Sequence, residues 1–313
     1  MEIFGSTFDD SVFVAARDRL SASIPSYRAK LCEPRWFCKD TDTEDTTERQ
    51  KTLKFRADLA FRRRQYESAL RDYTACLSFI PDGNLSVRRD VLEGAARCCC
   101  HLGRREQALD TTEKLRAEAS NTCHLTCVLQ LELSIHQRFG DLRGQISALQ
   151  RLCSLHPFNP WYWFKLASGS QSLLESSPQA GREAEVGGDE QRKENGELWL
   201  KACVGFVRSR LLFGILRIQQ SSFVLLSSEK AMQDSDQALR NLKPTERSLE
   251  IISEVMAEDL IPEKMREDNQ DGESLAGLSI KNFEERWWDK LTSAGLMEKE
   301  PGTFKMSQGT DSV

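Results

Sequence analysis

A chain of 313 residues with 43 Lys and Arg against 48 Asp and Glu carries a formal charge of −5 and an isoelectric point near 5.6, so the whole molecule exerts no general attraction on nucleic acid. Its length alone allows one array of elements with appended helices or two compact domains, and the first is the expectation. Asp9, Asp10, Arg17, Asp18 and Arg19 interrupt any apolar run near the start, which speaks against a cleavable leader.

Residues 1–47 read as an N-terminal segment that turns acidic at its end, where Asp40, Asp42, Glu44, Asp45 and Glu48 cluster. Residues 48–171 read as helical repeats. Leu53, Ala57 and Phe61 share one helical face, and the next helix places Tyr66, Ala69, Tyr73 and Cys76 on one face before Pro81 ends it. Leu92, Ala95, Ala96 and Cys99 followed by Arg105, Ala108, Thr112 and Leu115 make a second copy. Leu142, Gln145, Leu149 and Leu152 with the closing Pro157 make a third. Trp163, Leu166 and Ala167 open a fourth directly after Pro157, Asn159 and Pro160, and Trp199, Ala202, Phe206 and Ser209 continue it. The second-helix ladders start 39, 37 and 57 residues apart.

This pattern resembles the tetratricopeptide repeat, a helical hairpin of about 34 residues with small residues where its two helices cross and a proline at its end. The resemblance implies an all-α fold, a tetratricopeptide-like α-solenoid of about four hairpins. The packing residues would be Ala57, Tyr66, Ala69, Tyr73, Ala108, Leu149, Trp163, Ala167, Ala202 and Phe206. It also implies binding of extended or helical peptides on the first-helix face. Relatives that hold a terminal carboxylate use a clamp of Lys, Asn and Arg on that face. Here only Lys54 fits, with Asp58, Gly94, Cys127 and Leu131 at the other clamp positions, so that specialised role is not expected. Trp163, LWLKACVGFVRSRLL at 198–212, SYRAKLCEPRWF and SLHPFNPW also resemble the vertebrate chromosome 8 open reading frame 76 family. That resemblance brings no activity, cofactor or site residue with it.

The long third spacing has a visible source. Residues 172–196 are Ser, Glu, Gly, Gln and Lys with almost nothing large and apolar, the composition of a disordered insertion within the fourth repeat. Residues 197–292 read as the completing helix and C-terminal capping helices. The stretch Leu198 to Leu226 is apolar but carries Lys201, Arg208, Arg210 and Arg217, which excludes a membrane span of about 20 uncharged residues. Leu249, Ile252, Val255, Met256 and Leu260 form the stripe of one cap. Ile280, Phe283, Trp287 and Leu291, with Trp288 beside them, form a second after a connection over 263–277. This helix either folds back on the array or offers Phe283, Trp287 and Trp288 to a partner. Residues 293–313 read as a disordered tail.

Three chemical readings follow. Arg62, Arg63 and Arg64 stand at the first hairpin corner, Arg104 and Arg105 at the second, and Arg138 and Arg143 around the third. Stacked corners would line these up as a basic edge for acidic peptide, phosphorylated tails or RNA, or the arginines could pair internally. Ten cysteines include Cys98, Cys99 and Cys100 beside His101, and Cys123, His124 and Cys127. Consecutive helical residues diverge by about 100°, so small-residue packing competes with zinc here. No phosphate-loop, zinc-protease, nucleophile-elbow or dinucleotide motif occurs. His136 and His156 read as packing or capping residues. The sequence therefore predicts a non-catalytic scaffold or adaptor in cytoplasm or nucleus, with a protein partner and no cofactor. Polyanion binding through the arginine edge is the alternative, and a zinc-stabilised module is the third.

Overall fold

The computed structural model describes residues 36–38, 44–176, 188–218, 222–267 and 279–296. The chain divides into two units, 1–41 and 42–313. The first is described only at Trp36–Cys38, a single 3-10 turn. The second is all-helical, with no strand among the described residues.

Its helices are α1 (Thr46–Arg62), α2 (Tyr66–Leu77), α3 (Leu85–His101), α4 (Arg105–Ala117), α5 (Thr122–Arg138), α6 (Leu142–Leu155) and α7 (Pro160–Ser176). There follow α8 (Gly188–Leu216), α9 (Ser222–Leu242), α10 (Glu246–Ala257), α11 (Pro262–Glu267), α12 (Ile280–Phe283), a π-helical turn Glu284–Trp288, and α13 (Asp289–Ser293). From α1 to α8 each helix packs on the next, and α1 also touches α3 as α3 touches α5.

The odd-numbered helices of the first four pairs start in the same way. Asp45 accepts a hydrogen bond from the Thr47 N–H, Asn84 from Val87, Asn121 from His124 and Asn159 from Trp161. Each carboxylate or amide oxygen thus satisfies one of the unpaired amides of a helix N-terminus. These caps stand 39, 37 and 38 residues apart.

The ends repeat too. After α1, Gln65 N–H donates to the Ala60 carbonyl and Arg64 N–H to Phe61. After α3, Arg104 donates to Cys99 and Gly103 to Cys100. After α5, Asp141 donates to His136 and Gly140 to Gln137. Each is the pair of bonds that closes a helix through one left-handed residue. Those residues are Arg64, Gly103 and Gly140, at φ 59°, 77° and 68°.

Packing follows the small residues. Ala57, Ala69, Tyr73, Ala108, Leu149, Trp163, Ala167, Ala202 and Phe206 are buried, and Tyr66 is half-buried. On α3, Val91, Ala95 and Cys98 face the first hairpin, while Leu92, Ala96, Cys99 and Cys100 face α4 and α5. On α5, Val128, Leu131 and Ile135 face back, and Leu125, Leu129 and Leu133 face forward. A helix lined on two sides in this way cannot bury its surface without a neighbour on each. One close crossing is α7 on α8, where a Cβ at Gly205 would stand 2.8 Å from the Trp163 carbonyl oxygen and 2.8 Å from the Ala167 Cβ.

Three expectations change. Residues 172–176 and 188–196 of the expected insertion are helical; residues 177–187 lie outside the described set. The start of α8 is rich in Glu, Gln, Lys and Arg, good helix formers that need no burial when the apolar part of the same helix anchors them. The connection over 263–277 is helical to Glu267, and the tail is described only to Leu296. Helix α9, absent from the sequence reading, packs on α8.

Candidate functional site: the first-helix face and the hairpin corners

Helices α1 and α3 border an open groove of about 230 Å³ lined by Phe61, Tyr73, Asp90, Glu93, Gly94 and Arg97. Its floor exists because position 94 has no side chain: a Cβ there would lie 2.6 Å from the Tyr73 ring. Tyr73, on α2, donates its hydroxyl proton to Asp58 Oδ1 on α1 at 2.7 Å, while Lys54 Nζ donates to Asp58 Oδ2 at 3.0 Å. Burial, then the bond to the Asp58 carboxylate, pushes the Tyr73 phenol far above its ordinary range. Arg97 pairs with Glu93 at 2.7 Å. Asp90 is exposed at the rim. The groove thus offers two aromatic rings, carboxylates and one guanidinium, suited to polar side chains of a protein segment. A carboxylate clamp is not assembled, because Lys54 is held by Asp58 and Leu131 is buried.

The corners do come together, but not as the free basic edge that the sequence suggests. Arg104 pairs with Glu67, Arg105 Nη2 with Asp141 Oδ2 at 2.5 Å, and Arg143 with Glu194. Arg138 donates to the Cys100 and His101 carbonyls at 2.8 and 3.3 Å, satisfying the open end of α3. Each of these contacts ties one hairpin to the next. Arg62, Arg63 and Arg64 are exposed at the first corner. Beside them the His101 ring stacks on Tyr66, with centroids 4.3 Å apart and planes at 5°, and meets Phe61 edge-on at 5.8 Å.

A half-buried ionic chain joins α4, α5 and α6. Glu132 accepts from Arg151 Nη2 at 2.6 Å and from Arg116, and His136 Nδ1 lies 2.9 Å from Asp141 Oδ2. Burial pushes Glu132 up, but His136, whose Nε2 lies 3.9 Å from Oε1, and the Arg151 and Arg116 charges overcome this and hold it at about 2. His136 is raised by the nearby Glu132 carboxylate, against burial, with its contact to Asp141 adding to the effect. Asp141 also caps α6 through the Gly144 N–H at 3.0 Å.

The cysteines weighed for zinc divide between two cores and the surface. Cys98 packs into the first core and Cys99 and Cys100 into the second, as the divergence of consecutive helical residues requires. Cys123 and Cys127 are exposed on α5. Among the described residues no three His, Cys, Asp or Glu side chains are placed to hold a metal ion.

Of the two arrangements open to the C-terminal helix, the structure contains the fold-back. Phe283, Trp287 and Leu291 are buried, and Trp288 is 9% exposed, so these rings are not a surface offered to a partner. Trp287 meets Trp163 edge-to-face at 4.9 Å and Phe283 meets the same ring at 5.6 Å. The π-helical turn, closed by Asp289 N–H on the Glu284 carbonyl, widens the helix where Trp287 and Trp288 are both turned inward. Arg286 pairs with Asp259 at 2.9 Å. The other Asp259 oxygen binds Arg208, which is fully buried and also donates to the Pro157 carbonyl. This knot joins α8, the α6–α7 turn, the end of α10 and the last helix.

A model of a family of unknown function, DUF5588, matches residues 2–193 and 169–295. The chain belongs to that family. It is 34% identical over 349 aligned positions to the rat protein called uncharacterized protein C8orf76 homolog, which covers 92% of this chain and 93% of the relative. It is 33% identical over 356 positions to the human uncharacterized protein C8orf76, with the same shares. The two family matches overlap over 169–193, around the step from α7 to α8. No described helix is long and apolar enough to cross a membrane.

Sequence reasoning missed the capping asparagines, although Asp45, Asn84, Asn121 and Asn159 recur at the repeat period. It also missed Gly205 and the Arg208–Asp259–Arg286 knot. A lone arginine in an apolar run was the available signal for the knot, since such a charge is tolerated only with buried partners.

Proposed function

We propose that the chain is a non-catalytic protein-interaction scaffold, a tetratricopeptide-like stack of four helical hairpins that takes a peptide or helical partner on its first-helix face. The observation that carries this reading is the shared period of three features: Asx caps 39, 37 and 38 residues apart, left-handed turn closures 39 and 37 apart, and cores that divide α3 and α5 between neighbours. Stacks of this kind present their first helices as one continuous surface. The groove between α1 and α3 is the part of it with a recess and mixed charge. Cytoplasm or nucleus is the compartment that suits such an adaptor.

Affinity capture from cells with Asp90→Lys and Arg97→Glu variants tests the reading against a Lys114→Glu control on α4. The scaffold reading predicts that groove variants lose at least one partner that the control keeps. Identical partner sets for all three proteins would contradict it. Polyanion binding is the weaker reading, because Arg104, Arg105 and Arg143 spend their charge on Glu67, Asp141 and Glu194.

A further inference from the structure

Seven corner arginines do not form a ridge, but a smaller cationic focus survives them. It surrounds His101 at the end of α3. Arg97 lies one helical turn before His101 on the same face, Arg138 reaches over from α5 to bond the Cys100 and His101 carbonyls, and Arg64 sits in the left-handed turn two residues before Tyr66, whose ring stacks on the histidine. Three successive hairpins therefore each bring a guanidinium to one imidazole. Burial, then Arg138, Arg97 and Arg64 in that order, lowers the affinity of His101 for a proton, which is the response of an imidazole in a positive local field.

The balance of charge at this point stays positive. Arg97 shares its charge with Glu93. Arg138 has neutral carbonyl partners, so it offsets the negative end of α3 without losing its own charge to a carboxylate. Arg64 is exposed and makes no ion pair among the described residues. Phe61 and Tyr66 supply an apolar wall beside the histidine, and Phe61 and Arg97 also line the groove between α1 and α3. A cationic focus thus adjoins the recess where a partner segment would lie.

We infer that the cluster of Arg64, Arg97, Arg138 and His101 binds a phosphorylated side chain of a partner segment that lies on the first-helix face. The inference rests on the scaffold reading above and gives its partner a chemistry. Guanidinium groups suit a phosphate because their planar donors meet its oxygens in pairs, and a phosphate monoester carries nearly two charges at pH 7. A carboxylate offers one charge and two oxygens to the same cluster.

The test uses the full chain and three probes: a short phosphoserine peptide, its unphosphorylated counterpart, and a twelve-residue oligothymidylate. Titration calorimetry at fixed ionic strength compares wild type with Arg64→Gly and Arg138→Gln. Arg64→Gly is chosen because glycine suits the left-handed turn, so loss of binding cannot come from loss of fold. The expected result is that the phosphopeptide binds at least tenfold more tightly than its counterpart, and that Arg64→Gly weakens it about tenfold, the effect of one charged hydrogen bond. Equal binding of the two peptides, or phosphopeptide binding unchanged in Arg64→Gly, overturns the inference. Tight oligothymidylate binding with indifference to the phosphopeptide also overturns it, in favour of a nucleic-acid backbone. Failure of the phosphopeptide with groove-dependent partner capture intact would remove this inference and leave the scaffold reading standing.

Discussion

Position 64 is where the repeat breaks its own rule. Three hairpins close through the same left-handed residue, which is glycine at 103 and 140 but arginine at 64, held at φ 59°. A side chain in that conformation costs about 1–2 kcal/mol, whereas glycine costs about 0.4–1 kcal/mol through the greater freedom it gives the unfolded chain. Arg64→Gly should therefore stabilise by about 0.5–1 kcal/mol, raising the melting temperature by about 1–4 °C for a chain of this size. The reciprocal changes Gly103→Ala and Gly140→Ala should destabilise by a similar amount. At neither glycine does an added Cβ meet another atom within 4 Å, so the backbone alone decides. Thermal melts and urea titrations of the three purified variants read both signs. A lower melting temperature for Arg64→Gly, or a higher one for either alanine variant, would refute the equivalence of the three turns.

Trp287→Ala should cost about 3–5 kcal/mol, since its ring is 2% exposed against Trp163; urea melts followed by tryptophan fluorescence check this, and an unchanged midpoint would mean the last helix is not docked. Ala69→Leu or Ala202→Leu, each replacing a fully buried alanine, should lose about 1–3 kcal/mol by overpacking, read in the same melts. Glu132, with its folded value lowered from 4.5 to about 2, contributes stability that is complete above about pH 4.5 and lost as pH falls towards 2. Wild type should exceed Glu132→Gln by about 3 kcal/mol at pH 6, with the gap closing in urea melts as pH falls from 4.5 to 2.5. His136, raised above 6.5, acts in the opposite sense: its contribution is complete below 6.5 and lost as pH rises through its folded value.

The repeats were legible because they depend on short-range spacing. Ala57, Ala69, Ala108 and Ala202 announce close helix crossings by size alone, and the second-helix ladders keep the same internal spacing of three and four residues although they start 39, 37 and 57 residues apart. The corner arginines were not legible in the same way. Their partners lie far along the chain: Arg105 and Asp141 are 36 residues apart, Arg104 and Glu67 37, and Arg143 and Glu194 51. Composition shows such charges as a free edge, and only stacking decides that they pair. Helix α9 was legible but passed over: Ala231, Ala238, Leu239 and Leu242 form a buried stripe at helical spacing, interrupted only by the buried Ser228 and Ser235. The start of α8 was hidden by polarity, which marks disorder and solvated helix alike. The groove needed both Gly94 and Tyr73, residues on different helices that sequence spacing does not connect.

The claim that a partner lies along the first helices is tested most directly by photo-crosslinking in cells from single positions. Photoreactive residues at Asp90 and Arg97, exposed on α3, are compared with residues at Thr74 and Lys114, exposed on α2 and α4. The scaffold account predicts a discrete crosslinked protein from positions 90 and 97 that is absent from 74 and 114. Equal crosslinking from all four positions, or a discrete product from 74 and 114 alone, would contradict it.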